Sequence, residues 1–480
     1  MTEAGEWGMM IGVFAYKGRI LLKTRQLDRQ FYYQLLTLAA PILLQNFIAS
    51  SLNMFDTLMI GRLGENEVAA VGVANQVFFL FNLIANGAAA GCSIFLSQFW
   101  GGGDRRSIHK VVGFGLLMNL CIGLLFTAAA LAFPGPIVRL FSSDEAVIAL
   151  GIDYLTLVAL SYAFTSISFL LAGAMRSVGL AWPPMIISGG AVLINIALNW
   201  VFIFGHFGAP AMGVRGAALA TLIARMIETA LMLVFCFRPS SPLRGRLRDT
   251  FSFTPAFAGQ VLMKTLPILL NESFWAVGTM LYVRAYGYIG THAIAASQIS
   301  NTVQNLFMVA CFSLASSSLV MIGNRIGAGR QDLAVVYSRR FSWLALLVGL
   351  ILGAAVAISA PAILTLFNVS PQAADAAIAM LRIFSMVAPI RVLNVVLIVG
   401  VFRGGGDAGF ALAAEGVTMW TIGVPLAFLG AVTFQLPVEQ VVLLVTAEEI
   451  VKCVVSLIRL RSNRWLHDVA GQMKSQPEGE

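Results

Sequence analysis

"MFDTLMIGRLGENEVAAVGVANQV" (residues 54–77) and "MLYVRAYGYIGTHAIAASQISNTV" (residues 280–303) align without a gap at an offset of 226. Gly61 falls on Gly287, Gly64 on Gly290, Ala69-Ala70 on Ala295-Ala296 and Asn75 on Asn301. The same offset brings Pro41 onto Pro267, Gly101 onto Gly327 and Gly103 onto Gly329. Further on, "LLAGAMRSVG" (170–179) resembles "LIVGVFRGGG" (397–406) after a shift of one residue. Gly is frequent in membrane helices, so no single match carries weight. The constant offset from Pro41 to Gly103 does: the chain is an internal repeat.

Both copies are embedded in apolar sequence. The 480-residue chain is 58% hydrophobic and 11% charged, with a mean hydropathy of +0.84, whereas soluble proteins carry roughly 25% charged residues. Its charges fall between apolar blocks of about 20 residues, the length that crosses roughly 30 Å of hydrocarbon. The short alternating segments of a membrane β-barrel are missing from the pattern. Reading the blocks gives twelve spans, near 34–60, 68–98, 107–132, 151–175, 182–205 and 213–237, then 261–286, 293–322, 339–366, 376–401, 411–433 and 438–459.

Six spans per copy make both halves enter the membrane from the same side. The expected fold is therefore an all-α polytopic membrane protein, with two six-helix lobes as parallel repeats around a central cleft. Paired halves of this kind are characteristic of secondary transporters, whose site lies near mid-membrane between the repeats. The division expected is a basic leader at 1–33, an N-lobe at 34–237, a cytoplasmic linker at 238–260, a C-lobe at 261–460 and a cytoplasmic tail at 461–480. The stretch "FRPSSPLRGRLRDTFSFTPAFAG" (237–259) has the Pro and Arg content of such a linker.

The distribution of Lys and Arg is one-sided. A cytoplasmic N-terminus gives that side Lys17 to Arg29, Arg105, Arg106, Lys110, Arg238 to Arg248, Arg325 to Arg340 and Arg459 to Arg464. The other side keeps little beyond Arg62, Arg139 and Arg215. By the positive-inside rule both termini are cytoplasmic. The net charge of +8 is thus a topology and lipid-headgroup signal. No basic stripe with interleaved aromatics suggests nucleic acid. Glu3 and Glu6 ahead of a short apolar patch argue against a secretory signal. The five cysteines lack paired or metal-like spacing and read as free buried thiols. Four scattered histidines suggest no metal site, and no cofactor is expected. Without a nucleophile–base pair or a Gly-Lys phosphate loop, the chain reads as neither an enzyme nor an ATP-driven pump.

Several motifs point to a family. Pro41, Asp56, Gly61, Gly64, "AAVG" (69–72), Gly87, Gly91 and "SQFWGGGD" (97–104) resemble the first two helices of the multidrug and toxic compound extrusion (MATE) family. So do "NIALNWVFIFG" (195–205) with "GVRGAALAT" (213–221), and "VFRGGGD" (401–407) in the second copy. "EGVTMWTIGVPLAFLGA" (415–431) and "EEIVK…RLRSNRW" (448–465) resemble a bacterial branch of it. The resemblance implies a monomeric antiporter of the bacterial inner membrane, in contact with lipid. Such an antiporter exports small organic cations in exchange for H⁺ or Na⁺ by alternating access. Any metal would be transported Na⁺. The competing transporter function is a lipid-linked oligosaccharide flippase of the same superfamily, for which a strongly cationic cavity is expected.

Acids inside the membrane are costly enough to mark sites. Asp56 lies in the apolar run 50–64, and its mate is Tyr282, so this carboxyl belongs to one lobe only. Asn53 lies three residues before it on the same helical face. The plainer alternative is an acid at a helix end paired with Arg62. The family match places Asp56 in a hydrogen-bonded network that takes up a proton or cation. Asn195 and Asn199, four apart on one face of helix 5, complete that network with Thr221 on helix 6; their plainer role is to glue two helices. Glu272, ten residues before Tyr282 and so about 15 Å along the helix, matches a family glutamate implicated in coupling. An ion pair with Arg391 is its alternative. Glu415, Glu448 and Glu449 are expected to be neutralised internally by Arg284, Arg225 or Lys452. Arg176 and Arg403 are expected at the cytoplasmic headgroups. Gln45, Gln76, Gln304, Tyr282, Arg391 and Glu415, with Asn53, are the candidate lining of the cleft.

Overall fold

The computed structural model describes residues 3–365 and 370–475, with side chains from Asp28 onward except at 52–54, 247 and 474–475. Among these residues every long element is a helix. In the first half these are α1 (Glu3–Gly61), α2 (Glu65–Gly101), α3 (Arg105–Ala132), α4 (Glu145–Ser177), α5 (Trp182–Phe204) and α6 (Val214–Phe237). In the second they are α7 (Pro255–Ile289), α8 (Thr291–Gly327), α9 (Gln331–Leu364), α10 (Pro371–Phe402), α11 (Ala408–Thr433) and α12 (Val438–Arg461). Eleven are long and apolar enough to span a bilayer. The twelfth, α12, owes its lower hydropathy to Glu439, Glu448, Glu449 and Lys452, the last three of which are engaged inside the C-lobe.

The repeat is visible in the packing. α1 packs on α5 of its own lobe and on α8 of the other, while α7 packs on α11 of its own lobe and on α2 of the other. Phe31, Leu35 and Leu38 at the start of α1 belong to the C-lobe core with Tyr337 and Phe341. Val261, near the start of α7, is buried in an N-lobe core with Phe95 and Phe99. Each lobe's first helix therefore begins in the core of the other lobe. That exchange ties the lobes together at one end.

At this end α2 and α8 touch through their mates. A Cβ on Gly101 would collide with the Asn324 carbonyl, and one on Gly327 with the Gln98 carbonyl. Only glycine allows two backbones this close. α2 is buried almost continuously from Gly87 to Phe99, whereas Asn75, Gln76 and Asn86 are exposed. α8 follows the same rule, with Gln298, Asn301 and Asn305 exposed and Ser317 to Gly323 buried. The cleft thus opens toward the α1–α2 and α7–α8 turns and is shut at the opposite end.

The shut end is also strapped. After α12 the chain crosses both lobes: Trp465 is buried against Gly405 of the C-lobe, and Val469 and Ala470 enter the N-lobe core. The side chain of Gln98 on α2 holds the strap. Its Nε2 donates to the carbonyls of Gly404 (3.3 Å) and His467 (3.1 Å), and its Oε1 accepts from the amides of Val469 (2.8 Å) and Ala470 (3.2 Å). Burial holds the His467 ring below the usual histidine range.

Two expectations change here. Cys92, Cys236 and Cys311 are buried, but Cys121 is exposed. Arg403 does not reach the headgroups: it is 3% exposed, inside the C-lobe. A wide π-type turn at Val396–Phe402 directly precedes it. One extra residue in a turn rotates the remainder of a helix by about 100° relative to its regular course. α11 carries similar turns at Met419–Gly423 and Leu429–Thr433.

Candidate functional site

Asp56 sits near the C-terminal end of α1, half-buried, with hydrogen-bonding partners on α5. Asn199 Nδ2 donates to Asp56 Oδ1 at 2.6 Å. Asn195, one turn earlier and buried, presents an amide with two fitting orientations. In one, its Oδ1 accepts from Asn199 Nδ2 at 3.0 Å and its nitrogen donates to Thr221 Oγ1 at 3.3 Å. In the other, its nitrogen donates to Asp56 Oδ1 at 3.1 Å and its oxygen accepts from Thr221 Oγ1 at 3.3 Å. Asp56, Asn195, Asn199 and Thr221 are therefore one cluster. Asp56 forms no ion pair among the described residues, and Arg62 is exposed at the helix end. The buried Asn199 Oδ1 has no hydrogen-bond partner among the described residues.

A cavity of about 60 Å³ adjoins the carboxylate, lined among others by Asn75, Tyr154, Asn195, Thr221 and Arg225. A carboxylate, an orphaned amide oxygen and a hydroxyl are oxygen donors that accept a proton or a hard cation.

Ser188 and Glu228, which the sequence did not single out, lie beside this cluster. Gln45, eleven residues before Asp56 and therefore on the same face of α1, donates from Nε2 to Ser188 Oγ at 3.0 Å. Ser188 Oγ donates to Glu228 Oε1 at 2.6 Å, and Arg225 Nη1 donates to Glu228 Oε2 at 2.7 Å. Glu228 is 3% exposed. The signal was present in the sequence as an Arg–Glu pair at i,i+3 in an apolar helix.

The C-lobe carries more charge, and most of it is paired. Glu272 does not meet Arg391: Arg403 Nη2 donates to Glu272 Oε1 at 2.9 Å and to Asn271 Oδ1 at 2.7 Å. Asn271 Nδ2 in turn donates to Glu415 Oε2 at 2.9 Å. Tyr282, mate of Asp56, donates its hydroxyl to Glu448 Oε2 at 2.5 Å, and Gly423 leaves the room that both groups need. Lys452 Nζ lies 2.7 Å from Glu448 Oε1 and 3.8 Å from Glu449 Oε1. Lys452 thus neutralises these acids as expected, whereas Arg225 serves Glu228 and Arg284 is exposed. Arg391 donates to Gln304 Oε1 at 2.8 Å and reaches Glu449 at 4.0 Å. Gln76 is exposed on α2 and takes part in neither network. The Asn53 side chain lies outside the described residues.

Two lobes of six helices, each with a polar network inside it, fit the secondary-transporter class of fold. The chain belongs to the MatE family, the multidrug and toxic compound extrusion transporters, whose model matches residues 41–201 and 267–429. The two matched segments begin 226 residues apart, the spacing of the repeat. The chain is 26% identical over 438 residues to the transporter YisQ of Bacillus subtilis, covering 90% of this chain and 95% of that relative. It is 23% identical over 436 residues to a probable multidrug resistance protein NorM of Thermotoga maritima, covering 90% and 92%. Among solved structures, a MATE in the bent conformation superposes with a TM-score of 0.82 at 20% identity, covering 94% of this chain and 98% of that one. A MOP superfamily transporter from Pyrococcus furiosus gives 0.81 at 20% identity, covering 92% and 96%.

Proposed function

We propose that this chain is a multidrug exporter of the bacterial inner membrane, exchanging lipophilic organic cations for protons by alternating access. One observation carries the reading: among the described residues Asp56 is a membrane carboxylate hydrogen-bonded to amides, beside a cavity large enough for a few waters. A carboxylate set this way has a use for an external cation, because its hydrogen-bond partners are neutral amides and Arg225 nearby is paired with Glu228. The names of its relatives as multidrug resistance proteins support the substrate class. With both termini cytoplasmic, the open end of the cleft faces outward. In the cycle, a proton reaching Asp56 from outside loosens its bond to Asn199, and the lobe repacks as cargo leaves.

The test is uptake of ethidium into everted membrane vesicles under an imposed proton gradient or, separately, a Na⁺ gradient. Wild type should respond to the proton gradient, and Asp56→Asn should transport at background while inserting normally. Gradient-driven transport by Asp56→Asn would overturn the role of that carboxyl, and a response to Na⁺ alone would change the ion.

A further inference from the structure

We infer that Glu228, through its hold on Arg225, is the positioning residue that makes Asp56 require a proton, an inference that rests on the function proposed above.

The cavity beside Asp56 has walls from α1, α2, α4, α5 and α6. From α2 it receives Asn75, from α4 the Tyr154 hydroxyl, from α5 the Asn195 amide, and from α6 Thr221 and Arg225. Among the described residues Arg225 is the one cation in that wall, and it lines the same small space as the carboxylate. Left to itself, a guanidinium this close would pair with Asp56 and hold it charged. No ion pair between the two forms among the described residues: Glu228 takes the guanidinium at 2.7 Å, which leaves Arg225 only a partial hold on Asp56.

Glu228 is in turn fixed from its other oxygen. Ser188 Oγ donates to Oε1 at 2.6 Å, and Gln45 Nε2 holds Ser188 at 3.0 Å. The carboxylate of Glu228 therefore cannot swing away from Arg225 without breaking contacts to α5 and α1. Gln45 and Asp56 share one face of α1, so the same helix carries the group that takes the proton and the group that anchors the counter-charge.

Charge counting gives the consequence. Asp56, Arg225 and Glu228 together sum to one negative charge while Asp56 is ionised, and to zero once it binds a proton. In a medium that penalises uncompensated charge, neutrality of the set is reached only with the external cation aboard. Removing the charge of Glu228 makes the set neutral without it, since Arg225 is released to Asp56. Removing the charge of Arg225 does the opposite and leaves two carboxylates uncompensated.

The test needs no identified cargo. The infrared band of a protonated carboxyl that disappears in Asp56→Asn is followed against pH in full-length protein, reconstituted in Na⁺-free lipid. In Glu228→Gln its midpoint should fall by roughly one to three pH units, the reach of a neighbouring opposite charge. In Arg225→Gln it should rise, and in the double variant Arg225→Gln/Glu228→Gln it should return close to wild type. A purely structural Glu228 would give single and double variants with the wild-type midpoint, which overturns the inference. The opposite signs expected for the two single variants allow either to decide if the other does not fold. Failure of the underlying reading looks different: no titrating band would then be lost in Asp56→Asn.

Discussion

Asp56 of the N-lobe and Tyr282 of the C-lobe stand at the same place in the two copies, and each belongs to a hydrogen-bonded carboxylate. On the N-lobe side the carboxylate is Asp56 itself, met by the amides of Asn199 and Asn195. On the C-lobe side it is Glu448, contributed by α12, which accepts from Tyr282 and lies 2.7 Å from Lys452. Glu272 shows the same pattern, with Arg403 at 2.9 Å. Glu272, Glu448 and Glu449 of the C-lobe have cations of the chain beside them, while Glu415 accepts from the Asn271 amide. The N-lobe leaves one acid without such a partner, and its one nearby cation is held by Glu228. The fold is shared between the lobes, and under the function proposed above the N-lobe acid is the one that takes up an outside cation.

The largest effect on stability is expected where that pairing is most buried. Lys452→Met would strand Glu448, 4% exposed, and breaking a buried pair from one side costs about 3–5 kcal/mol. Thermal unfolding of the detergent-solubilised variant should show a strongly lowered midpoint, with recovery when Glu448→Gln is added. A variant as stable as wild type would mean that Lys452 does not neutralise the C-lobe.

A smaller effect is expected at the strapped end. Gln98→Leu removes four hydrogen bonds to the strap and to the α10–α11 turn, each worth about 1 kcal/mol net. Spin labels on the two lobes at the shut end should report a larger population with that end open. The mate of Gln98 is Asn324, where no strap crosses and Oδ1 has no partner among the described residues. Asn324→Leu should therefore leave the spin-label distances as they are, and equal responses at the two mates would erase this part of the contrast.

Much of the architecture was legible in the sequence because repeats and span length are one-dimensional properties. The offset of 226 contained the pseudo-symmetry, and the cost of charge in lipid marked Asp56, Glu272 and Glu448 before any contact was known. Asn195, Asn199 and Thr221 followed from helical spacing and the family motif. What was not legible is rotation about a helix axis. Arg176 and Arg403 were both expected at the headgroups, yet Arg176 is only partly exposed and Arg403, just after the wide turn at Val396–Phe402, reaches inward to Glu272. The pairing of Glu272 with Arg391 failed for the same reason. Arg225 and Glu228 were visible as an i,i+3 pair, but their position beside Asp56 depends on how α6 packs on α1 and α5. The exchange of α1 and α7 between lobe cores was likewise hidden, since spans and offsets say nothing of which neighbour a helix start chooses.

If the N-lobe carboxylate takes up the cation, and the paired acids of the C-lobe do not, variants of the two lobes must part company in transport. Asp56→Asn and Glu272→Gln placed side by side in proteoliposomes, with ethidium flux recorded with and without an imposed proton gradient, decide between them. Asp56→Asn should lose the response to the gradient completely, while Glu272→Gln should keep it, with at most a reduced overall rate. The reverse outcome, a gradient response that survives in Asp56→Asn and vanishes in Glu272→Gln, would move cation uptake to the C-lobe and overturn the assignment to Asp56.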